Sequence, residues 1–197
     1  MGLDVAATNG LIKIPKEEIP HGVEPYNDEF YDWENNADWH IKYINREDGY
    51  FEEYWNHHLD PFKTGYYRED DADYHSFRVG SYSYYNNWRK ILALAIGFDN
   101  IGDIWNLGPY DAEIPFIELL DFSDAEGNIG PVVSEKLYND FEDRQEEVFE
   151  FVDNLMFGIG GSDNKLSMTQ VRDFKSVYED WKLAFEIGQD RGIVTLQ

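Results

Sequence analysis

The chain has no cysteine among its 197 residues. That excludes disulfide bonds, a thiolate nucleophile and any zinc site built on sulfur, and it suits a reducing compartment. Positive charge is scarce, with 16 Lys and Arg against 40 Asp and Glu and a formal charge of −24. A protein that grips nucleic acid by neutralising phosphates needs a basic face. Direct nucleic-acid binding is therefore excluded, and an anionic membrane surface is disfavoured for the same reason. No apolar run approaches the roughly 18 residues of a spanning helix, and the opening MGLDVAATNG carries neither the basic nor the apolar region of a secretion signal. Ala6 stands where a myristoylation pattern on Gly2 wants Ser or Thr. These absences predict a cytoplasmic protein, and no cofactor or metal is expected. Familiar catalytic strings are missing as well: there is no G-x-S-x-G and no H-E-x-x-H, and GIGG at 158–161 does not follow a strand in the manner of a phosphate loop.

What is present reads as one α+β domain over 1–197, a length that suits a single core with an appendage. LDVA, a turn at Asn9-Gly10 and LIKI predict a strand pair near the start. GIVTLQ predicts a closing strand, and the two ends are expected to share one small sheet. SYSYYNNWRKILALAIG predicts a helix capped by Ser83, with Tyr85, Trp88, Leu92 and Ala95 turned inward and Gly97 as its left-handed terminator. The stretch 97–114 reads as a loop, and PFIELL as a short helix opening on Pro115. Val133, Leu137, Phe141, Val148, Val152 and Leu155 make one apolar face of a long helix, interrupted by Arg144, which reads as a snorkelling side chain. Ser167 to Gln170 fits a capping box, and the helix behind it aligns Val171, Phe174, Tyr178, Trp181 and Phe185 as core. The expected architecture is a small sheet of terminal strands packed on three to four helices.

Residues 17–75 differ in character, with seventeen acidic residues, four basic ones and all five histidines. Aromatic rings run through the segment, whereas a disordered acidic tail lacks them. An acidic, aromatic-rich insertion that folds as short strands is expected, with turns at Asp48-Gly49 and Thr64-Gly65. Its histidines do not point to a metal, because His57 and His58 are adjacent and no other pair has ligand spacing.

The stretch FSDAEGNIGP, from Phe122 to Pro131, puts Ser, Asp and Glu beside two glycines after an apolar run. Asp124, Glu126, Asn128 and Glu135 occupy ligand positions of a calcium loop, but Ile129 takes the place where that loop requires glycine. Two readings stay open. In one, Ser123 or Asp124 caps a turn, Gly127 and Gly130 supply positive φ, and Pro131 opens the next helix. In the other, the stretch forms a wall of a pocket. The candidate ligand-binding set is then Arg78, Ser81, Tyr82, Tyr85, Trp88, Arg89, Ser123, Asp124 and Glu126, with rings for stacking and carboxylates to accept from hydroxyl or amino groups.

MGLD at the start, FRVGSYSYYNNWRKILALAIG, PFIELLDFSDAEGNIGPVVSEKLYNDF and FKSVYEDWKLAFEIGQDRGIVTLQ together resemble a family of small proteins of tailed phages, prophages and bacteria. Its members begin MGLD, carry G-S-Y-S-x-x-x-x-W-R and F-S-D-C-E-G-x-I-G-P blocks, and end in a strand closing on Phe-His. Ala125 replaces the family's Cys and Gln197 its terminal His, so a mechanism that needs that thiol or imidazole is not available here. The resemblance brings no activity with it. It implies a phage-type accessory protein working in the host cytoplasm, non-enzymatic, which binds and neutralises a host component as an anti-defence factor. The partner is expected to be a host protein with a cationic face or a small nucleotide-like ligand, and self-association into a homo-oligomer is compatible. The alternatives are an enzyme acting on a nucleotide-like metabolite with Asp124 or Glu126 as general base and Arg89 as stabiliser, and a structural or virion-associated protein.

Overall fold

Alternation decides the first strand. In β1 (Gly2–Thr8) Leu3, Val5 and Ala7 point to one side and are buried, so one face of the strand must lie against a core. Both edges of β1 are occupied: β5 (Tyr74–Ser81) pairs on one side and β7 (Ile193–Leu196) on the other, each antiparallel. With β6 (Gly127–Ile129) they form a four-stranded sheet in the order β5-β1-β7-β6. The computed structural model describes residues 2–45, 56–69, 72–105, 107, 113–122, 127–157 and 165–197. The terminal strands therefore meet as expected, with Val5 opposite Leu196.

The fold is α+β, and this sheet packs on the helices. α2 (Tyr82–Ala95) follows β5 directly, and its capping residue is Ser81, whose hydroxyl accepts from Tyr84 N at 3.2 Å, rather than Ser83. Gly97 beyond its end has φ of 93°, as the helix-stop reading requires. α5 (Pro131–Met156) and α6 (Met168–Gly188) bury the two stripes read from the sequence, from Val133 to Leu155 and from Val171 to Phe185. The Ser167–Gln170 capping box is formed. Across the helix pair the hydroxyl of Tyr178 donates to Phe141 O at 2.7 Å, and Trp88 Nε1 of α2 donates to Phe174 O at 3.2 Å. Tyr178 and Trp88 thus satisfy their polar atoms on helix backbone. Arg144 stays half exposed on α5 and pairs with Glu147 one turn on.

Several local expectations are corrected. β1 and β2 (Leu11–Lys13) are not a hairpin: β2 belongs to a second, three-stranded sheet in the order β2-β4-β3, with β4 Gly65–Glu69 and β3 Ile41–Ile44. The physical reason is that β5 and β7 already fill both edges of β1. The 17–75 segment contains a helix, α1 (Asp28–Asn36), begun by Asn27, whose side chain accepts from Phe30 N at 2.8 Å. Of the two predicted turns, Gly65 with φ of 151° opens β4, and Asp48-Gly49 lies outside the described residues. A short helix, α3 (Ile101–Trp105), interrupts the predicted loop and buries Ile101 and Ile104. α4 spans Ile117–Leu120 and starts after Phe116, which is left-handed with φ of 60°, so Pro115 does not open it.

The corner after Phe122 explains its glycines in two ways. Gly127 has φ of 151°, and a side chain there would also strike the Phe122 ring. Gly130, by contrast, has φ of −89° and needs no glycine for conformation. It needs one for space: a Cβ would lie 3.0 Å from the Leu59 carbonyl carbon and 3.1 Å from the backbone oxygens of His58 and Asp60. Gly130 N donates to His58 O in the same contact. Pro131 then opens α5 at the position where its missing N–H costs nothing.

Candidate functional site

The nine residues expected to form a pocket fall into three groups. Arg78, on β5, makes a two-pronged ion pair with Asp4 across the β1–β5 ladder, Nη1 lying 3.0 and 2.8 Å from the two carboxylate oxygens. Ser81 is occupied as the α2 cap, and Tyr82 packs half-buried against the core. Tyr85 and Trp88 are core residues, and the Tyr85 ring stacks on Trp181 at 5.9 Å. Ser123, Asp124 and Glu126 lie outside the described residues.

Arg89 is 2% exposed, and its guanidinium lies 4.6 Å from the centre of the Tyr85 ring. Nη1 donates to Phe122 O at 2.6 Å and Leu120 O at 3.3 Å, and Nη2 donates to Asn86 Oδ1. A buried cation is costly unless paired. Here its partners are carbonyl dipoles at the end of α4, so Arg89 clamps the chain as it enters the FSDAEG corner. Trp105 Nε1 donates to the same Leu120 O at 3.2 Å, which ties α3 to that point.

Two polar groups were not foreseen. Glu118 of α4 is 1% exposed and is met by Lys136 of α5 at 2.7 Å; Lys136 also touches Asp140 at 2.7 Å and donates to Ile114 O at 2.9 Å. Asp140 accepts from Phe116 N at 2.8 Å, which holds the left-handed residue before α4. Burial pushes the Glu118 carboxyl above the usual carboxylate range, and the Lys136 ammonium pulls it back only in part. His58, fully buried on the Phe122 ring, faces Glu118 O with Nε2 at 3.3 Å. The second group joins the sheets: Lys42 of β3 donates to Thr195 Oγ1 of β7 at 2.9 Å, and Thr195 donates to Asn128 Oδ1 of β6 at 2.8 Å. Burial lowers the Lys42 pKa, opposed by Glu69. Both groups join residues of different elements, so no spacing along the chain could reveal them.

Among the described residues, a concentration of unneutralised charge lies on the lobe carried by the second sheet. Between residues 17 and 41 there are eight acidic residues and no lysine or arginine. Glu17, Glu18, Glu24, Asp28, Glu29, Asp32 and Asp38 are exposed and Glu34 is half-buried. None is within an ion-pair distance of a cation among the described residues. The lobe is held from beneath by aromatic packing: Phe30 of α1 stacks on Tyr66 at 5.9 Å, and Trp33 and Tyr43 meet the same ring at 5.5 and 4.9 Å. α1 spends only Phe30 on full burial and turns its carboxylates outward. Tyr26, Tyr31 and Trp39 stand among the carboxylates at 61, 47 and 40% exposure. Trp39 already carries the Arg68 guanidinium 5.1 Å from its ring centre, an example of the contact these rings offer.

Among the described residues no group of three His, Asp or Glu side chains could hold a metal ion, and no helix is long and apolar enough to cross a membrane. No protein-family model matches the chain, nor does any curated protein or solved structure.

Proposed function

We propose that this chain is a non-enzymatic accessory protein of phage type that binds a cationic face of a host protein and neutralises it, with anti-defence activity as the form this takes. The observation that carries the reading is the stretch of eight acidic residues, seven of them exposed, without a single lysine or arginine between residues 17 and 41. Exposed like charges repel one another and weaken the fold that holds them together. A positively charged partner relieves that repulsion, is drawn in by the long-range field and is oriented by the pattern of charges. Tyr26 and Tyr31 add exposed rings that lysine and arginine side chains can meet. The phage setting is supported by the MGLD, GSYS and FSDAEG blocks of the sequence.

The test replaces Asp28, Glu29, Asp32 and Glu34 by their amides. Host proteins retained by the wild-type and substituted chains are compared at low and raised ionic strength, and any protein that depends on the four carboxylates is then purified and titrated. A basic host protein whose binding weakens with salt and is lost on substitution is the expected result. Retention of the same proteins by both chains would remove the acidic face from the function.

A further inference from the structure

A cleft of about 370 Å³ opens between α2, the chain entering α3, the end of α5 and the start of α6. Its volume is in the range of small-ligand sites. The floor is aliphatic, with Ile91 of α2, Leu155 of α5 and Leu166 ahead of α6. Lys90 and Lys165 stand on its rim. In the helical half of the chain the other lysines are each held by a carboxylate: Lys136 by Glu118, Lys175 by Asp153 and Lys182 by Glu142. Lys90 and Lys165 have no ion pair among the described residues, although the chain has 40 acidic side chains to offer. Two ammonium groups without an ion pair, beside a cleft whose lining mixes aliphatic with polar side chains, define a site for a compact anion joined to a flat or aliphatic body that also carries polar groups.

We infer that this cleft binds a small organic phosphate of the nucleoside monophosphate class, with the phosphate between Lys90 and Lys165 and the base on the aliphatic floor. Asp99 lines the same cleft and supplies an acceptor for hydroxyl or amino groups of the ligand; Gln170, whose Oε1 is taken by the capping box, adds only its Nε2 donor. A free carboxylate beside two cations favours a ligand that brings donors as well as negative charge. The site lies apart from the acidic face and stands or falls independently of it.

The test is calorimetric titration of the whole protein with AMP, and with adenosine as the uncharged control. AMP is expected to bind at least tenfold more tightly than adenosine. Lys90→Glu and Lys165→Glu are each expected to weaken AMP at least tenfold while leaving the circular dichroism and Tm unchanged, since both side chains are exposed. Leu94 also lines the cleft, one turn from Lys90 on α2; Leu94→Trp fills the space while keeping both lysines and is expected to abolish binding. The inference is overturned if AMP does not bind, if adenosine binds equally well, or if AMP binds the glutamate or tryptophan variants as it binds the wild type.

Discussion

Replacing Lys136 by methionine takes away the cation that meets buried Glu118 at 2.7 Å and leaves a carboxyl group 1% exposed to water. Breaking a buried pair from one side typically costs about 3–5 kcal/mol. Here protonation sets a ceiling. Glu118 has an ordinary value of 4.5, so holding it neutral at about pH 7 costs about 3.4 kcal/mol at about 1.36 kcal/mol per pH unit, and the loss on mutation is smaller than this because the wild-type pKa is already raised. The loss of the donor to Ile114 O adds about 1 kcal/mol that does not vary with pH. The sign follows from the raised pKa. The folded state binds the proton more tightly than the unfolded state, so stability falls as pH rises from 4.5 through the folded-state value, and the lysine deletion extends that window upward. Urea unfolding followed by the fluorescence of buried Trp88 and Trp181 is the assay. Lys136→Met is expected to lose roughly 2–4 kcal/mol near pH 7 and only about 1 kcal/mol near pH 4.5, and Glu118→Gln in the same background should flatten that dependence. An equal loss at both pH values, or a loss below about 1 kcal/mol at pH 7, would refute the view that Lys136 compensates a buried charge.

The corner and the clamp make further predictions. Gly130→Ala places a methyl against backbone atoms of residues 58 to 60, which cannot swing aside as a side chain can; thermal unfolding should show a loss of about 1–3 kcal/mol. Arg89→Met removes the donors to Leu120 O and Phe122 O, and should cost roughly 2–4 kcal/mol, with Arg89→Lys recovering little because one ammonium cannot span both carbonyls and Asn86. Chemical denaturation measures both, and near-wild-type stability of Arg89→Met would mean that the clamp contributes nothing.

The long amphipathic elements were legible because their signals are local. A stripe such as Val133 to Leu155, or a cap such as Ser167 with Gln170, states a periodicity or a hydrogen bond within one turn. Two short helices, α1 and α3, were missed although caps were present. Asn27 and Asn100 both accept from backbone N–H groups at helix starts, but α1 lies in an acidic, aromatic composition and α3 is only five residues long, stabilised by burying Ile101 and Ile104. The β1–β2 hairpin failed because Asn9-Gly10 describes a turn and says nothing of which edges are free. For the candidate pocket, the sequence marked chemistry without burial: Tyr85, Trp88 and Arg89 have side chains that suit recognition, and the structure spends them on the core and on carbonyl groups. The acidic stretch was legible in composition, and the absence of lysine and arginine between residues 17 and 41 required only counting.

The place of β1 between β5 and β7 governs the order of events as the chain leaves the ribosome. Its first edge can close once residues 74–81 have emerged, but its second waits for residues 193–196. Until then Leu3, Val5 and Ala7 belong to a sheet with an open edge, a state prone to pairing with other chains. Folding is therefore expected to be slow and to finish only once residues 193–196 have emerged, because the contacts that complete the sheet are far apart in the sequence. The dense negative charge of the nascent chain, already set between residues 17 and 41, keeps such waiting chains apart.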